Sequence, residues 1–352
     1  MADYAFNSTN IPWSTIPPGS RVLIRAGVHT APLDVSVRDI IVEFEAGSIL
    51  RGNIMIGQPE VAIYGNGLIV ELIGRGQPGS RTYPVHIMQS APGALFHGIE
   101  FIGKYDSTTG LGAGVLGFAD FALEKCRFEK SPGEDQIGGV GCSVRLTDCI
   151  CEDMVPDSTG RAHRDVCAVV IPPGKALVVE RSIFRRLSVD CLFGQYGSVL
   201  NAPHGAFIFM DNVFDGNMSA IKMDSRQGSV ELVTIRRNMF LNCKAQVMSQ
   251  QHYAKLTSTG NIFSGAYQGS NGPKPVNYNT GERDSYWRTG TMTYVEDPSN
   301  ERGPLVYDPG TYRILNPEAA GYGPSHLQYQ APAPPEPKVV YELLDNNTWR
   351  AA

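Results

Sequence analysis

The feature that most restricts this chain is that it repeats itself. The stretch GSVELVTIRRNMFLNC, from Gly228 to Cys243, holds an apolar strand, an asparagine, a very short second strand ending in phenylalanine and a polar exit. The same arrangement returns as FIFMDNVF (Phe207 to Phe214), TSTGNIF (Thr257 to Phe263) and LVVERSIF (Leu177 to Phe184). Weaker copies are FALEKCRF (Phe121 to Phe128), VRLTDCIC (Val144 to Cys151) and FHGIEF (Phe96 to Phe101). The closing residues Phe101, Phe128, Cys151, Phe184, Phe214, Phe240 and Phe263 follow one another at 27, 23, 33, 30, 26 and 23 residues. Two positions before them runs a second column: Cys126, Cys149, Ser182, Asn212, Asn238 and Asn261. A repeat of this length marks a solenoid or propeller, in which each unit buries its core only against its neighbours.

The units carry short Val/Ile/Phe-rich strands and no stretch of about 11 residues with helical periodicity, so coils of strand fit better than helix pairs. Coils stacked about 4.8 Å apart set like residues on like. The phenylalanines then become an internal aromatic stack. The asparagines become a ladder at a sharp bend, where Asn tolerates left-handed backbone and hydrogen-bonds the main chain. This pattern resembles the right-handed parallel β-helix of the pectate-lyase-like superfamily, whose coils carry such a turn asparagine. The resemblance spans Ile16 to Ala266. It implies an all-β, single-stranded parallel β-helix with an irregular C-terminal extension, and it implies little about function, since one fold hosts many activities.

The expected organisation is an N-terminal segment (1–15), the β-helix (16–266), an irregular aromatic-rich region (267–330), and a Pro-rich linker with a C-terminal tail (331–352). The first 15 residues show no strong capping helix, so Phe6 and Trp13 become candidates to plug the open end. The polar segments Gly74 to Tyr83, Lys104 to Gly114, Ser131 to Gly141 and Met154 to Asp165 read as loops bulging from turns. The tail, ending in VVYELL and TWRAA, is suited to covering the last coil or to reaching a neighbouring subunit.

With 42% hydrophobic and 18% charged residues the chain is a folded one. A formal net charge of −5 supplies no basic field for nucleic acid, and no apolar run of about 18 residues suggests a membrane span. MADYAFNSTNIPW has no basic stretch followed by an apolar core, so it does not read as a secretory signal. The seven cysteines then read as reduced thiols, with Cys126, Cys149 and Cys151 in the repeat columns and Cys167 and Cys191 in apolar strands. The sequons at Asn7, Asn217 and Asn346 become accidental. GAGVLG (Gly112 to Gly117) lacks the strand before and helix after that a dinucleotide site requires, and His163, His204 and His252 show no ligand spacing. No cofactor or metal is expected. Ca²⁺ is common in the lyases that the chain resembles, but no motif here supports it.

The sharper candidates lie on the strand that begins each coil. Aligning DCLFGQ, SAIKMDSR and AQVMSQQ with apolar residues inward turns Asp190, Lys222, Asp224 and Gln246 outward on neighbouring coils. Carboxylates and a lysine about 5 Å apart shift each other's pKa values, as acid–base chemistry requires. Asp190, Lys222 and Asp224 are therefore the candidate catalytic set, against a bland alternative of solvated strand positions. Arg226, Gln246, Tyr286 and Trp287 are the candidate substrate contacts, the aromatics as sugar platforms or as interchain packing. Enzymes resembling this fold cleave polysaccharides on this face, hydrolases with paired carboxylates and lyases with a lysine or arginine base.

Two function classes follow. The first is a structural, receptor- or glycan-facing virion component, such as a tail spike, fibre-associated or capsid-decorating protein, made in the host cytoplasm and assembled as a homotrimer with other virion subunits or a surface polysaccharide as partners. The second is an extracellular polysaccharide lyase or glycoside hydrolase.

Overall fold

The computed structural model describes residues 3–73, 84–104, 114–130, 135–154, 165–187, 190–194, 204–216, 219–223, 230–241, 243, 245–249, 255–264, 293–296, 305–319, 322–328, 330, 341–343 and 349–351. It is almost entirely parallel β-sheet, with three short 3₁₀ turns as its helical content among the described residues. The chain climbs in solenoid-like steps, because each repeat lays three strands onto the corresponding three of the repeat before it. Phe121–Glu124, Arg127–Glu129 and Ile137–Val140 form one such set, and Val144–Thr147, Ile150–Glu152 and Asp165–Val170 form the next. The first strand of each set pairs only with other first strands, as in Phe121↔Val144↔Leu177↔Phe207↔Val233. The second and third strands do the same, which gives the stack three faces.

The phenylalanine column is the core of the second face. Phe101, Phe128, Cys151, Phe184, Phe214, Phe240 and Phe263 are in register. Rings lie parallel at 4.8 Å between Phe101 and Phe128, 5.1 Å between Phe184 and Phe214, and 5.0 Å between Phe214 and Phe240. Coil spacing and ring thickness nearly match, so the strands' own geometry sets the stack. Cys151 interrupts it with a buried thiol. Cys126, Cys142, Cys149, Cys167 and Cys243 are likewise buried thiols outside any disulfide. Burial pushes the Cys142 thiol up to about 12 and raises Cys167 as well, so both stay protonated and inert at neutral pH.

The ladder runs through the buried turn between the first and second faces. Asn212 Oδ1 accepts the Ser182 N–H at 2.9 Å, Asn238 Oδ1 accepts the Asn212 N–H at 3.0 Å, and Asn261 Oδ1 accepts the Asn238 N–H at 2.9 Å. Each amide nitrogen donates back to a carbonyl: Asn212 to Val179, Asn238 to Phe209 and Asn261 to Ile235. Ser182 continues the column by accepting the Cys149 N–H, and Cys149 and Cys126 occupy its upstream end with thiols against Leu123 and Phe96 carbonyls.

One detail of the bend differs from the expectation. The left-handed residue is the one before the ladder position: Lys125, Asp148, Arg181, Asp211, Arg237 and Gly260 all have φ between 49° and 61°. The asparagines are held by hydrogen bonds that reach to the next coil, and one αL residue is enough to turn the chain. An αL side chain projects away from the core, so from Lys125 to Arg237 these residues form an exterior column with a charge on each coil, ending at Gly260. Their signs alternate: Lys125, Asp148, Arg181, Asp211, Arg237. Arg181 forks onto Asp148 at 2.8 and 3.0 Å, and Arg237 onto Asp211 at 2.9 Å twice. A second turn repeats the device with Lys130, Asp153 and Arg186, where Arg186 reaches Asp153 at 2.6 and 2.9 Å. Like charges one coil apart would repel, and alternation turns that repulsion into bidentate pairing that helps offset an αL cost of about 1–2 kcal/mol per residue. Inside this second ladder lies Glu152, 1% exposed, between Arg127 at 2.7 Å, Arg185 at 2.7 Å and Arg186 at 2.5 Å. Burial acts to raise its carboxyl, but the arginine hydrogen bonds prevail and hold it below the ordinary range.

The chain itself extends both ends of the stack and covers one side. At the N-terminal end Tyr4–Phe6 adds a parallel strand beside Arg21–Ile24, and Ile11, Trp13 and Ile16 join the main core, with Phe6 packed partly against it. At the other end Thr293–Glu296 adds a strand to the first face beside Lys255–Thr259. The described residues of 305–330 then fold along the outside of the second face, over the outward column Ile183, Val213, Met239 and Ile262. Tyr312, Ile314, Ala319 and Tyr322 form a second small core there. The Ser325 N–H donates to Asp211 Oδ1 at 2.7 Å, the Tyr312 hydroxyl to Asp215 Oδ2 at 3.0 Å, and the Gly323 N–H to the Gly260 carbonyl at 2.8 Å. Gly323 is at φ +70°, with Ile262 2.8 Å from where a Cβ would stand, so a side chain would lift the strap off the column. Tyr341–Leu343 and Trp349–Ala351 pair with each other as an antiparallel hairpin.

Asp211 latches this strap. Burial would raise its carboxyl, but the Arg237 fork and the Ser325 donors lower it below the ordinary value near 3.9. A depressed carboxyl stabilises the docked strap fully above the unfolded pKa, and that stabilisation is lost as pH falls through the lower folded value. Asp211→Ala is expected to weaken docking by about 2 kcal/mol. Limited proteolysis checks this: cleavage within 305–330 should accelerate at neutral pH while the coils stay resistant, and wild type should show the same exposure only below about pH 4.

Candidate functional site

The third face combines a run of exposed apolar side chains on successive coils with the sequence's own candidates. Its strands are Leu33–Val35, Ile54–Ile56, Val85–Ile87, Val115–Gly117, Ile137–Val140, Asp165–Val170, Asp190–Gly194, Ser219–Met223 and Ala245–Ser249, paired in parallel in that order. The inward column Leu33, Ile54, Val85, Val115, Ile137 and Cys167 is fully buried. In the other inward column Gly117 and Gly139 stand between Ile87 and Val169, because the ring of Phe121 and a methyl of Val144 lie 2.4 and 2.6 Å from where their Cβ atoms would stand. Those side chains come from the first face and close the corner.

Period-two alternation puts a different set outside. One outward column runs Asp34, Met55, His86, Leu116, Gly138 and Ala168 in register. Beside it, just after the strands' last inward residues, run Met88, Phe118, Val140 and Val170. Met55, Met88, Phe118 and Val140 are 41%, 42%, 37% and 43% exposed. The His86 ring meets Phe118 edge-on at 5.5 Å, and burial lowers its pKa, so it is neutral at pH 7. From Met55 to Val170 the described outward positions carry no carboxylate, lysine or arginine. The other faces contrast with this: Arg21 pairs with Glu43, Arg25 with Glu45 at 2.7 Å, Arg51 with Glu71 at 3.0 Å and Arg145 with Glu180 at 2.7 Å.

The candidate residues from sequence fall further along this face or beyond the described residues. Lys222 is in backbone register with that column, paired with Phe193 before it and Met248 after it. Asp190 is in register with Asp165 and Ser219, three positions from Lys222 along the strand direction, or about 10 Å. Gln246 follows Ala245, which pairs with Ser219, so it stands two positions from the Lys222 row. The backbone register therefore does not put Asp190 beside Lys222 on adjacent coils. The alignment missed this because it matched apolar residues segment by segment, whereas register is fixed by backbone bonds across coils. Asp224, Arg226, Tyr286 and Trp287 lie outside the described residues. Among the described residues no three His, Cys, Asp or Glu side chains gather as a cation site. None of the helices there is long and apolar enough to cross a membrane.

The apolar stripe itself went unread in the sequence. Its signal is in NIMIG, VHIM, VLGF and IGGVG, which are uncharged at both parities, as a strand buried on both sides would be.

No family model, no curated protein and no solved structure matches the chain.

Proposed function

We propose that this chain is a right-handed parallel β-helix of the pectate-lyase-like type that works as a structural, glycan-facing component of a virion, assembled as a homotrimer. The observation that supports this best is the chemistry of the third face. Met, Phe, Val and a neutral His stacked over five coils pack or support a ligand; they do not supply the paired titratable groups that bond cleavage requires. Many charges on the other described faces are engaged with one another in ladders along the coils. Such a body is stiff and elongated, which suits a spike or a decorating subunit.

The second reading, a polysaccharide lyase or hydrolase, rests on Lys222 standing in backbone register with the stripe's first column on that same face. One experiment separates the two. Purified protein is incubated with acidic and neutral polysaccharides, with and without Ca²⁺, while reducing ends and unsaturated-uronate absorbance are followed. The virion reading expects no product, and it expects the protein to co-sediment with particles or tail assemblies. New absorbance that falls at least 100-fold in Lys222→Ala would replace it with a lyase, since loss of a general base costs about 10²–10⁴ in rate. Reducing ends without that absorbance would point to hydrolysis.

A further inference from the structure

We infer that the uncharged stripe on the third face is where copies of this chain meet one another, around a rotation axis parallel to the stacking direction of the coils. This rests on the assembly reading above and assigns it a surface. The stripe consists of two adjacent columns, Met55, His86, Leu116, Gly138, Ala168 and Met88, Phe118, Val140, Val170. It runs straight along the stack, because parallel in-register strands repeat each position at the coil spacing of about 4.8 Å.

The geometry of symmetry selects the occupant. When copies are related by rotation about an axis along the stack, each residue near that axis faces its own equivalent at the same height. A charged column placed there would bring like charges together on every coil, whereas a neutral column brings apolar groups together. Each of the other two faces carries salt-bridged charges on its outward columns, as Arg145–Glu180 and Arg127–Glu152 do. The exterior αL columns are charged on almost every coil. The chain as a whole is at −5, so copies repel except where a surface carries no charge. The third face between Met55 and Val170 is such a surface. The matching apolar column on the second face, Ile183, Val213, Met239 and Ile262, is already covered by residues 305–330 of the same chain. The third-face stripe keeps Met55, Met88, Phe118 and Val140 at 37–43% exposure. An unrelated partner or a glycan would not require neutrality to persist over successive coils, whereas a rotation axis does.

The test is sedimentation velocity on the full chain, wild type beside Phe118→Glu and Val140→Glu, with circular dichroism as the folding control. Met88→Cys is added as a probe, because three copies around the axis bring their residue-88 thiols within reach of one another. The expected result is a wild-type species of three times the 38.3 kDa chain mass. Each glutamate variant should sediment as a folded monomer over the same concentration range, and oxidised Met88→Cys should give a disulfide-linked two-chain band that returns to the single chain when dithiothreitol is added. A wild-type trimer that survives both glutamates and gives no Met88→Cys cross-link overturns the assignment of this face while leaving assembly itself standing. A wild type that is monomeric throughout overturns both. If a glutamate variant loses its β-sheet signal, the cross-link alone decides.

Discussion

Asn238→Ala should lower the stability of the coils around it by about 4 kcal/mol. The side chain makes both ends of a relay: its Oδ1 takes the Asn212 N–H at 3.0 Å, and its Nδ2 donates to the Phe209 carbonyl at 2.9 Å. Asn238 is fully buried, so water cannot replace either partner. Each buried group left unsatisfied costs about 1–3 kcal/mol, and the Asn212 amide also loses the Nδ2 contact to Asn238 Oδ1. Asn238→Ser should fall between the two, about 2 kcal/mol below wild type, because the column already contains a serine that accepts the amide of the coil before it, Ser182 to Cys149. Denaturant titration gives the overall change. Native-state hydrogen exchange gives the place: the Asn212 amide should lose protection first, since each coil is stabilised through its neighbours. Equal stability of Asn238→Ala and wild type would mean that the ladder is decoration on a fold held by its apolar core alone.

Removing a ring from the aromatic column should cost as much by a different route. Phe214→Ala is expected to destabilise by about 4 kcal/mol, the range for deleting a buried phenylalanine whose surroundings cannot close in. Phe184 and Phe240 stand 5.1 and 5.0 Å on either side, held in register by their own strands. Backbone pairing at fixed coil spacing keeps them from moving together over the gap. Phe214→Leu should recover all but about 1.5 kcal/mol. The column contains its own natural interruption in Cys151, which sits between Phe128 and Phe184, and the coils on either side of it remain paired. The same denaturation experiment, read with a solvent probe that binds apolar cavities, distinguishes a ring-sized void from a collapsed column. Full retention of the midpoint would show that the stack contributes little beyond filling space.

Much of this was legible in the sequence. The Phe column and the Asn column were both visible as spacings, because a solenoid turns a repeat along the chain into neighbours in space. Asn212, Asn238 and Asn261 do hydrogen-bond from coil to coil, as that spacing requires. The bend was read one residue off: the left-handed backbone belongs to Arg181, Asp211 and Arg237, of which only the aspartate favours it by itself, and their alternating charges make sense only once coils are stacked. The covering strap was illegible for the same kind of reason. Nothing in the text of residues 305–330 says that Tyr312 and Ile314 pack on Val213 and Met239, about 100 and 75 positions earlier.

What the sequence by itself determined is the unit: which residues begin a strand, which end it, and which recur at each turn. Local propensity and a period are properties of the chain alone. What only the tertiary structure decided is which of these residues stand side by side. Register across coils depends on loops of unequal length, so Asp190 stands three positions from the Lys222 row, at the opposite parity of the strand, and the two do not share a row. Exposure was likewise decided in space. Ile183, Val213, Met239 and Ile262 sit at outward positions of their strands just as Met55, Met88, Phe118 and Val140 do, but a strap covers the first column and leaves the second bare. Burial belongs to the assembled surface, because the atoms that exclude water from a side chain come from segments far away along the chain.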